Sequence, residues 1–267
     1  MPSVRPAAVA GIFYPENALP LRRQIGECLL AARATAEAGR PPKLLIVPHA
    51  GYVYSGAVAA HAFALLAPWR ERIRRVVLLG PAHRSAVRAL AAPTVAAFDT
   101  PLGRVALDLP ALAALQDLPH VAQDDRPHAF EHSLEVQLPF LQTVLDTFEA
   151  VPLLVGDARP AEVAQVLARL WGGDETLIVI SSDLSHYLPH AQAQVRDRAT
   201  VERILAFDGT LDPEEACGAS AINGALQAAQ AHRLLPRLLD LRNSGDTAGD
   251  RRRVVGYAAI AFEANTS

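Results

Sequence analysis

Short, continuous apolar runs alternate along the chain with longer segments whose apolar residues recur at helical spacing. The runs predict buried strands at 43–48, 74–80, 149–156 and 176–182, and a partly alternating last strand at 251–263. The longer segments predict helices at 56–68, 131–146, 160–171, 192–206 and 220–233. Apolar strands separated by helices are typical of a sheet covered on both faces. The pattern therefore predicts one α/β domain over residues 1–267.

Two details refine this picture. Residues 94–107 predict a hairpin around Pro101, Leu102 and Gly103, which indicates that the sheet is mixed. Pro139 interrupts the apolar repeat of residues 131–146, so we expect it to kink or offset that helix.

Composition narrows the function classes. The chain has 267 residues, of which 51% are apolar, enough for a large core. Its 25 basic and 28 acidic residues are interspersed and give a formal net charge of −3, which argues against nucleic-acid binding. No apolar stretch reaches the roughly 18 residues of a membrane span, and the N-terminus does not resemble a signal peptide. Two cysteines, Cys28 and Cys217, do not make a disulfide framework, so we expect a cytoplasmic protein.

Polar residues cluster where three predicted strands end. The first strand runs into "PHAGY" with His49, the second into "GPAHR" with His83, and the fourth into "SSDLSHY" with His186. In open α/β sheets, ligands bind beyond the carboxyl ends of the strands. Each histidine alone could be a simple turn or capping residue, but three at equivalent positions predict one shared cleft. Histidine is both the commonest metal ligand and the commonest general base near neutral pH.

The residues around these histidines leave alternatives open. Asp183 and His186 would share a face if their segment starts a helix, so that Asp183 could orient an imidazole. Alternatively, or in addition, Ser182 or Asp183 is the N-cap of that helix. In "HAFEHSLE", His128 and His132 do not fit the H-E-x-x-H zinc motif. Glu131 at a helix start could place His132 at the cleft, or could belong to a solvated helix N-terminus.

Cys217 precedes Gly218 at the predicted start of a helix. The helix dipole favours a thiolate there, which predicts a lowered thiol pKa and suits a metal ligand or a nucleophile. The alternative is a buried, inert cysteine, which is our interpretation of Cys28.

The ordered motifs "AGIFYP", "PHAGYVYSG", "GPAHR", "EHSLEVQLPFL", "SSDLSHY" and "CGASAING" resemble the Memo family, called AmmeMemoRadiSam system protein B in bacteria and archaea. The resemblance runs from about residue 9 to the last strand. It implies a three-layer α/β/α sandwich with a mixed central sheet, similar to class III extradiol ring-cleaving dioxygenases. It also implies a functional link to AMMECR-type and radical SAM proteins.

The resemblance also assigns site residues. It implies that His49, His83 and Cys217 bind a metal, with iron or copper expected ahead of zinc. It places His186 and Asp183 as catalytic residues, and His132, Tyr52 and Arg84 as residues that line the cleft. The related dioxygenases hold iron with two histidines and a carboxylate, whereas the third position here matches a thiolate, a softer ligand. Ring cleavage is therefore not carried over from the fold.

Three functions are compatible with these residues. The first is a metal-dependent redox enzyme with His186 as acid or base. The second is a binding module that captures a small molecule, a peptide or an anionic group such as a phosphopeptide, with Arg84 pairing to the anion. The third is a hydrolase with Cys217 as the nucleophile.

Overall fold

A computed structural model describes residues 3–33 and 41–264 of the chain. The strands are β1 (Val4–Arg5), β2 (Pro42–Val47), β3 (Arg75–Pro81), β4 (Leu90–Ala92), β5 (Ala97–Thr100), β6 (Gly103–Ala106), β7 (Val121–Gln123), β8 (Glu149–Val155), β9 (Thr176–Ser181), β10 (His186–Leu188), β11 (Leu234–Asn243) and β12 (Val254–Ala264). The helices are α1 (Ala18–Arg33), α2 (Tyr52–Ala64), α3 (Leu109–Ala113), α4 (Leu138–Val144), α5 (Pro160–Leu170), α6 (His190–Leu205), α7 (Ala219–Ala231) and α8 (Ser244–Thr247).

The centre of the main sheet is the parallel set β2, β9, β3 and β8, in that spatial order. Its strands are almost wholly apolar and buried, as the continuous apolar runs predict. Because these strands are parallel, their carboxyl ends meet at one edge of the sheet. That edge carries the loops with the predicted site residues.

Antiparallel strands flank this parallel centre, so the sheet is mixed, as predicted. β12 runs antiparallel to β2 and also pairs with β10 and β11, and β4 runs antiparallel to β8. The predicted hairpin is present as β5 and β6, and Gly103 adopts a φ of 120° at its turn, a conformation that L side chains rarely adopt. The hairpin joins β1 in a separate small sheet.

The helices pack in two groups. α1, α2 and α4 contact one another, whereas α5 contacts α7, and α6 and α7 contact the sheet. This grouping is consistent with helices on both faces of a mixed sheet and confirms the α/β class. Of the helices in the described part of the chain, none combines the length and apolar character needed to cross a bilayer.

Two predicted helices differ from the structure, and the long strand β11 was not predicted. The helix expected at 56–68 begins earlier, at Tyr52, directly after Gly51. The helix expected at 131–146 is shorter: a 3-10 turn at Glu135–Gln137 leads into α4, with Pro139 in its first turn. Proline is tolerated there because first-turn N–H groups have no partner within the helix, so Pro139 does not kink the helix. β11 was not predicted; its residues are mostly half-buried or exposed, and Pro236 breaks the apolar pattern.

The segment after β9 also differs. Residues 182–185 form a loop that runs into β10, and the next helix, α6, begins only at His190 with Pro189 as its N-cap. The predictions that Asp183 and His186 share a helical face, or that Ser182 or Asp183 caps a helix, are therefore wrong. β12 supplies backbone partners for residues 184 and 186 instead.

Candidate metal centre

The loops after β2, β9 and β3 meet because these three strands are neighbours in the sheet. His49 and His83 each lie two residues beyond the end of their strand, and Asp183 lies two residues beyond β9. The imidazole rings of His49 and His83 approach to 5.2 Å between centroids. The predicted meeting of these two histidines at one sheet edge is confirmed.

His132 joins this pair from a turn rather than from a helix. Its ring centroid lies 5.4 Å from that of His49 and 4.7 Å from that of His83. One ligand atom from each of the three histidines lies within 4.8 Å of the others. Gly80 permits this approach, because a Cβ atom there would lie 2.9 Å from Leu134 and 3.0 Å from the Ser133 hydroxyl. Three imidazoles thus form one group that a single metal ion could contact.

Cys217 reaches the site from the start of α7. Its Sγ lies 3.3 Å from Nε2 of His49, and its backbone N–H donates to the carbonyl oxygen of Asp183. Gly218 makes this possible, since a Cβ there would lie 2.7 Å from the Cβ of Ser182. The thiol therefore adds a sulfur donor beside the three histidines.

The electrostatic environment of Cys217 contradicts the sequence prediction. Burial, reinforced by the negative charge of Asp183, raises the pKa of the Cys217 thiol to about 12. The nearby helix start does not overcome these two effects. The predicted lowering of this pKa is wrong, and a thiolate at neutral pH needs an additional cation close to the sulfur.

Asp183 is buried beside His49. One carboxylate oxygen accepts the backbone N–H of His49 at 2.7 Å, so Asp183 orients the main chain there. Burial raises the pKa of Asp183 despite that hydrogen bond. His186 is half-buried in β10, and its charge lowers the pKa of both Asp183 and His49. His186 thus lies within electrostatic reach of His49 and Asp183, but the third member of the histidine group is His132 rather than the expected His186.

His49 itself is held neutral. Burial lowers its pKa well below the usual value, and the neighbouring charges of His83 and His132 lower it further. A neutral imidazole keeps a lone pair available, which is the form that binds metals.

Of the two alternatives for Glu131, the solvated helix start is wrong, because Glu131 is only 2% exposed and lies outside any helix. Its carboxylate accepts the backbone N–H groups of His83, His132 and Ser133. Burial alone would raise the pKa of Glu131, but hydrogen bonds from His132, His83 and Ser133 hold it well below the usual range. The acidic residue directly before His132 was the available signal in the sequence, yet its burial depends on tertiary contacts.

The two remaining cleft residues of the sequence analysis lie in different environments. Tyr52 is buried; its hydroxyl donates to the carbonyl of Val136 at 2.6 Å, and its ring packs against Tyr14 and Phe140. Arg84 is exposed directly after His83.

Phe13 touches the site without having been singled out, because its ring lies 4.5 Å from that of His132. Contacts of this kind carry no local sequence signal.

Comparison with known proteins agrees with this arrangement of motifs. A family model described as Memo-like protein matches residues 5–261. A MEMO1 family protein of Methanopyrus kandleri is 39% identical over 97% of this chain and 98% of its own length. MEMO1 family proteins of Aquifex aeolicus and Archaeoglobus fulgidus are each 35% identical over 97% of this chain and 99% of their own length.

Proposed function

This chain belongs to the Memo family, and we propose that it is a metal-binding redox protein. The proposed ligands are His49, His83 and Cys217, together with His132. The observation that carries the proposal is the spacing of the donors: three imidazole ligand atoms lie within 4.8 Å of one another, and the thiol lies 3.3 Å from one of them.

The chemistry of the donors fits a transition metal. Imidazole suits iron, copper and zinc, and thiolate favours the softer of these ions. The raised pKa of Cys217 also fits, because a bound cation is what stabilises a thiolate in a buried position. We propose iron or copper, since either can supply one-electron chemistry at the site.

Two residues of the chain would handle protons. His186 is half-buried at the rim, where it can exchange a proton with solvent and deliver it to the pocket. Burial raises the pKa of Asp183, which makes its carboxylate a better acceptor for a proton from a neighbouring imidazolium. We propose these as the acid–base groups of the redox reaction.

The second part of the proposal concerns the fold. We propose that the mixed sheet and its two groups of helices form the three-layer α/β/α sandwich of the class III extradiol dioxygenases. Ring cleavage is not part of the proposal, because a thiol stands near the histidines where those enzymes use a carboxylate. The link to AMMECR-type and radical SAM proteins stays a prediction of the family resemblance.

The metal content of the purified protein tests the proposal. We would purify the untagged chain anaerobically and measure iron, copper and zinc by elemental mass spectrometry. The wild type should carry close to one equivalent of iron or copper. His49→Ala should lose it, and Cys217→Ser should lose it or change the metal bound.

Cys28→Ser provides the matched control. Cys28 lies in α1, and replacing it should leave the metal content unchanged. Equal metal in wild type and His49→Ala would refute the site. A metal-free wild type that instead binds a phosphopeptide, with loss of binding in Arg84→Ala, would favour the binding-module alternative.

A further inference from the structure

We propose that Glu131 is a positioning residue that fixes which ring nitrogen of His83 carries the lone pair for a metal, and that Ser181 does the same for His49. This inference rests on the proposed metal function. It concerns the buried groups that contact Nδ1 of these two histidines.

The Glu131 carboxylate contacts Nδ1 of His83. Its Oε1 lies 2.9 Å from that nitrogen, while Oε2 accepts the backbone N–H of the same residue. An ionised carboxylate can only accept hydrogen bonds. The hydrogen of the neutral His83 ring must therefore sit on Nδ1, which leaves the lone pair on Nε2.

The same carboxylate faces His132. Oε1 lies 3.1 Å from Nδ1 of His132, off the direction of a well-aligned hydrogen bond, and that nitrogen has no better partner among the described residues. A carboxylate oxygen at this distance favours the Nδ1–H form for His132 as well.

The hydrogen bonds around His49 determine its tautomer, because each of the neighbouring groups can take only one role, as donor or as acceptor. One amide atom of Gln137 lies 2.9 Å from the carbonyl oxygen of Pro48 and 2.8 Å from Oγ of Ser181. A carbonyl oxygen only accepts, so this atom is the amide nitrogen, and it donates to both.

The Ser181 hydroxyl then has one possible role toward the ring. Its oxygen lies 2.6 Å from the carbonyl oxygen of Ser133, and the only hydrogen available between these two oxygens is that of Ser181. Ser181 has no second hydrogen, so at 3.0 Å from His49 it must accept from Nδ1–H. The lone pair of His49 is thereby placed on Nε2, the atom that faces Cys217.

Both networks produce the same result. His49 and His83 present Nε2 lone pairs. The Glu131 carboxylate sets the tautomer of His83, and the Ser133 carbonyl sets that of His49 through Ser181; the three residues that set the tautomers are buried. Removing a residue that orients a metal-binding histidine in this way typically lowers the metal affinity by about 10–100-fold. The motif "EHSLEVQ" therefore contains residues that orient the ligands, in addition to the ligand His132.

Two separate measurements test the proposal: the histidine tautomers in the metal-free protein, and the affinity of the protein for zinc. Long-range proton–nitrogen NMR spectra of the 15N-histidine-labelled chain, recorded at about pH 8 where histidine is neutral, distinguish Nδ1–H from Nε2–H. We expect Nδ1–H for His49 and His83 in the wild type. Glu131→Gln should disturb His83 and leave His49 unchanged, and Ser181→Ala should do the reverse.

Zinc affinity, measured by chelator competition, should fall about 10–100-fold in Glu131→Gln. The matched control is Glu149→Gln, an exposed carboxylate at the opposite end of the sheet, which should change neither readout. An Nε2–H form of His83 in the wild type would overturn the inference, even if Glu131→Gln does not fold. Unchanged spectra and affinity in Glu131→Gln would also overturn it. A wild type with the expected tautomers that binds no metal would refute the proposed function and leave the orienting role of Glu131 standing.

Discussion

His128 shows how one buried side chain can couple the stability of this chain to pH. Its Nε2 lies 3.1 Å from the carbonyl oxygen of Ala91, and its Nδ1 is buried with no hydrogen-bond partner in the described part of the chain. Protonation would place a charged N–H where nothing accepts it. Burial accordingly lowers the pKa of His128 to about 4.

We predict that the free energy of unfolding falls as the pH drops from about 6.5 to 4. The unfolded chain takes up a proton on His128 over this range and the folded chain does not, so acid favours unfolding. The free energy of unfolding should be about 3 kcal/mol lower below pH 4 than above pH 6.5 on account of His128. Urea unfolding of wild type and His128→Gln at several pH values would measure it. Parallel curves for the two proteins would contradict the assignment.

Among the elements, the turn at 128–135 is tied to the N-terminal segment by one ion pair. Arg5 donates to Glu135 at 2.6 Å, and the side chains are 4% and 0% exposed. Arg5 also donates to the backbone carbonyls of His128 and Glu131. Glu135 in turn accepts from the backbone of residues 8 and 9 and from the hydroxyl of Tyr14. This pair therefore holds the turn that carries His132.

Arg5→Met should destabilise the fold by about 3–5 kcal/mol, because it leaves the Glu135 carboxylate buried without its cation. Chemical denaturation would give the value. Arg104→Met is the matched control: its pair with Asp99 is exposed, so stability should hardly change. A similar loss of stability in both variants would mean that the buried Arg5–Glu135 pair contributes no more than the exposed Arg104–Asp99 pair.

At the scale of the whole molecule, the site residues rest on a continuous core. The buried apolar residues of the main sheet and its helices form one hydrophobic cluster, which includes all four central strands. Loops attached to such strands have little freedom, so the donors are held close together before any ligand arrives. Metal binding at this site should therefore stabilise the whole folded state rather than one loop.

We predict that metal added to the metal-free protein stabilises the native state by about 2.7 kcal/mol when its free concentration is 100 times the dissociation constant. Differential scanning calorimetry should show the melting temperature rising with metal concentration. His49→Ala, which lacks a central donor, should show no such rise. An equal rise in both proteins would indicate that the metal binds elsewhere.

The sequence by itself determined the parts that depend on neighbouring residues. Apolar runs located the central strands, because a strand buried on both faces must be continuously apolar. The polar residues that end those runs located His49 and His83, because parallel strands present their carboxyl ends at one edge. The third histidine of the group is His132, not the predicted His186. The hairpin at 97–106 followed from its turn residues in the same way.

The tertiary structure alone decided the environment of each group. Cys217 lies 168 positions from the His49 it contacts, and its pKa rises because of what surrounds it, which no local pattern reveals. The sequence left open whether Glu131 belongs to a solvated helix start or places His132 at the cleft, and only the packing that buries Glu131 decided between them. Burial and partner choice are properties of the packed chain, and they set protonation and hydrogen bonding.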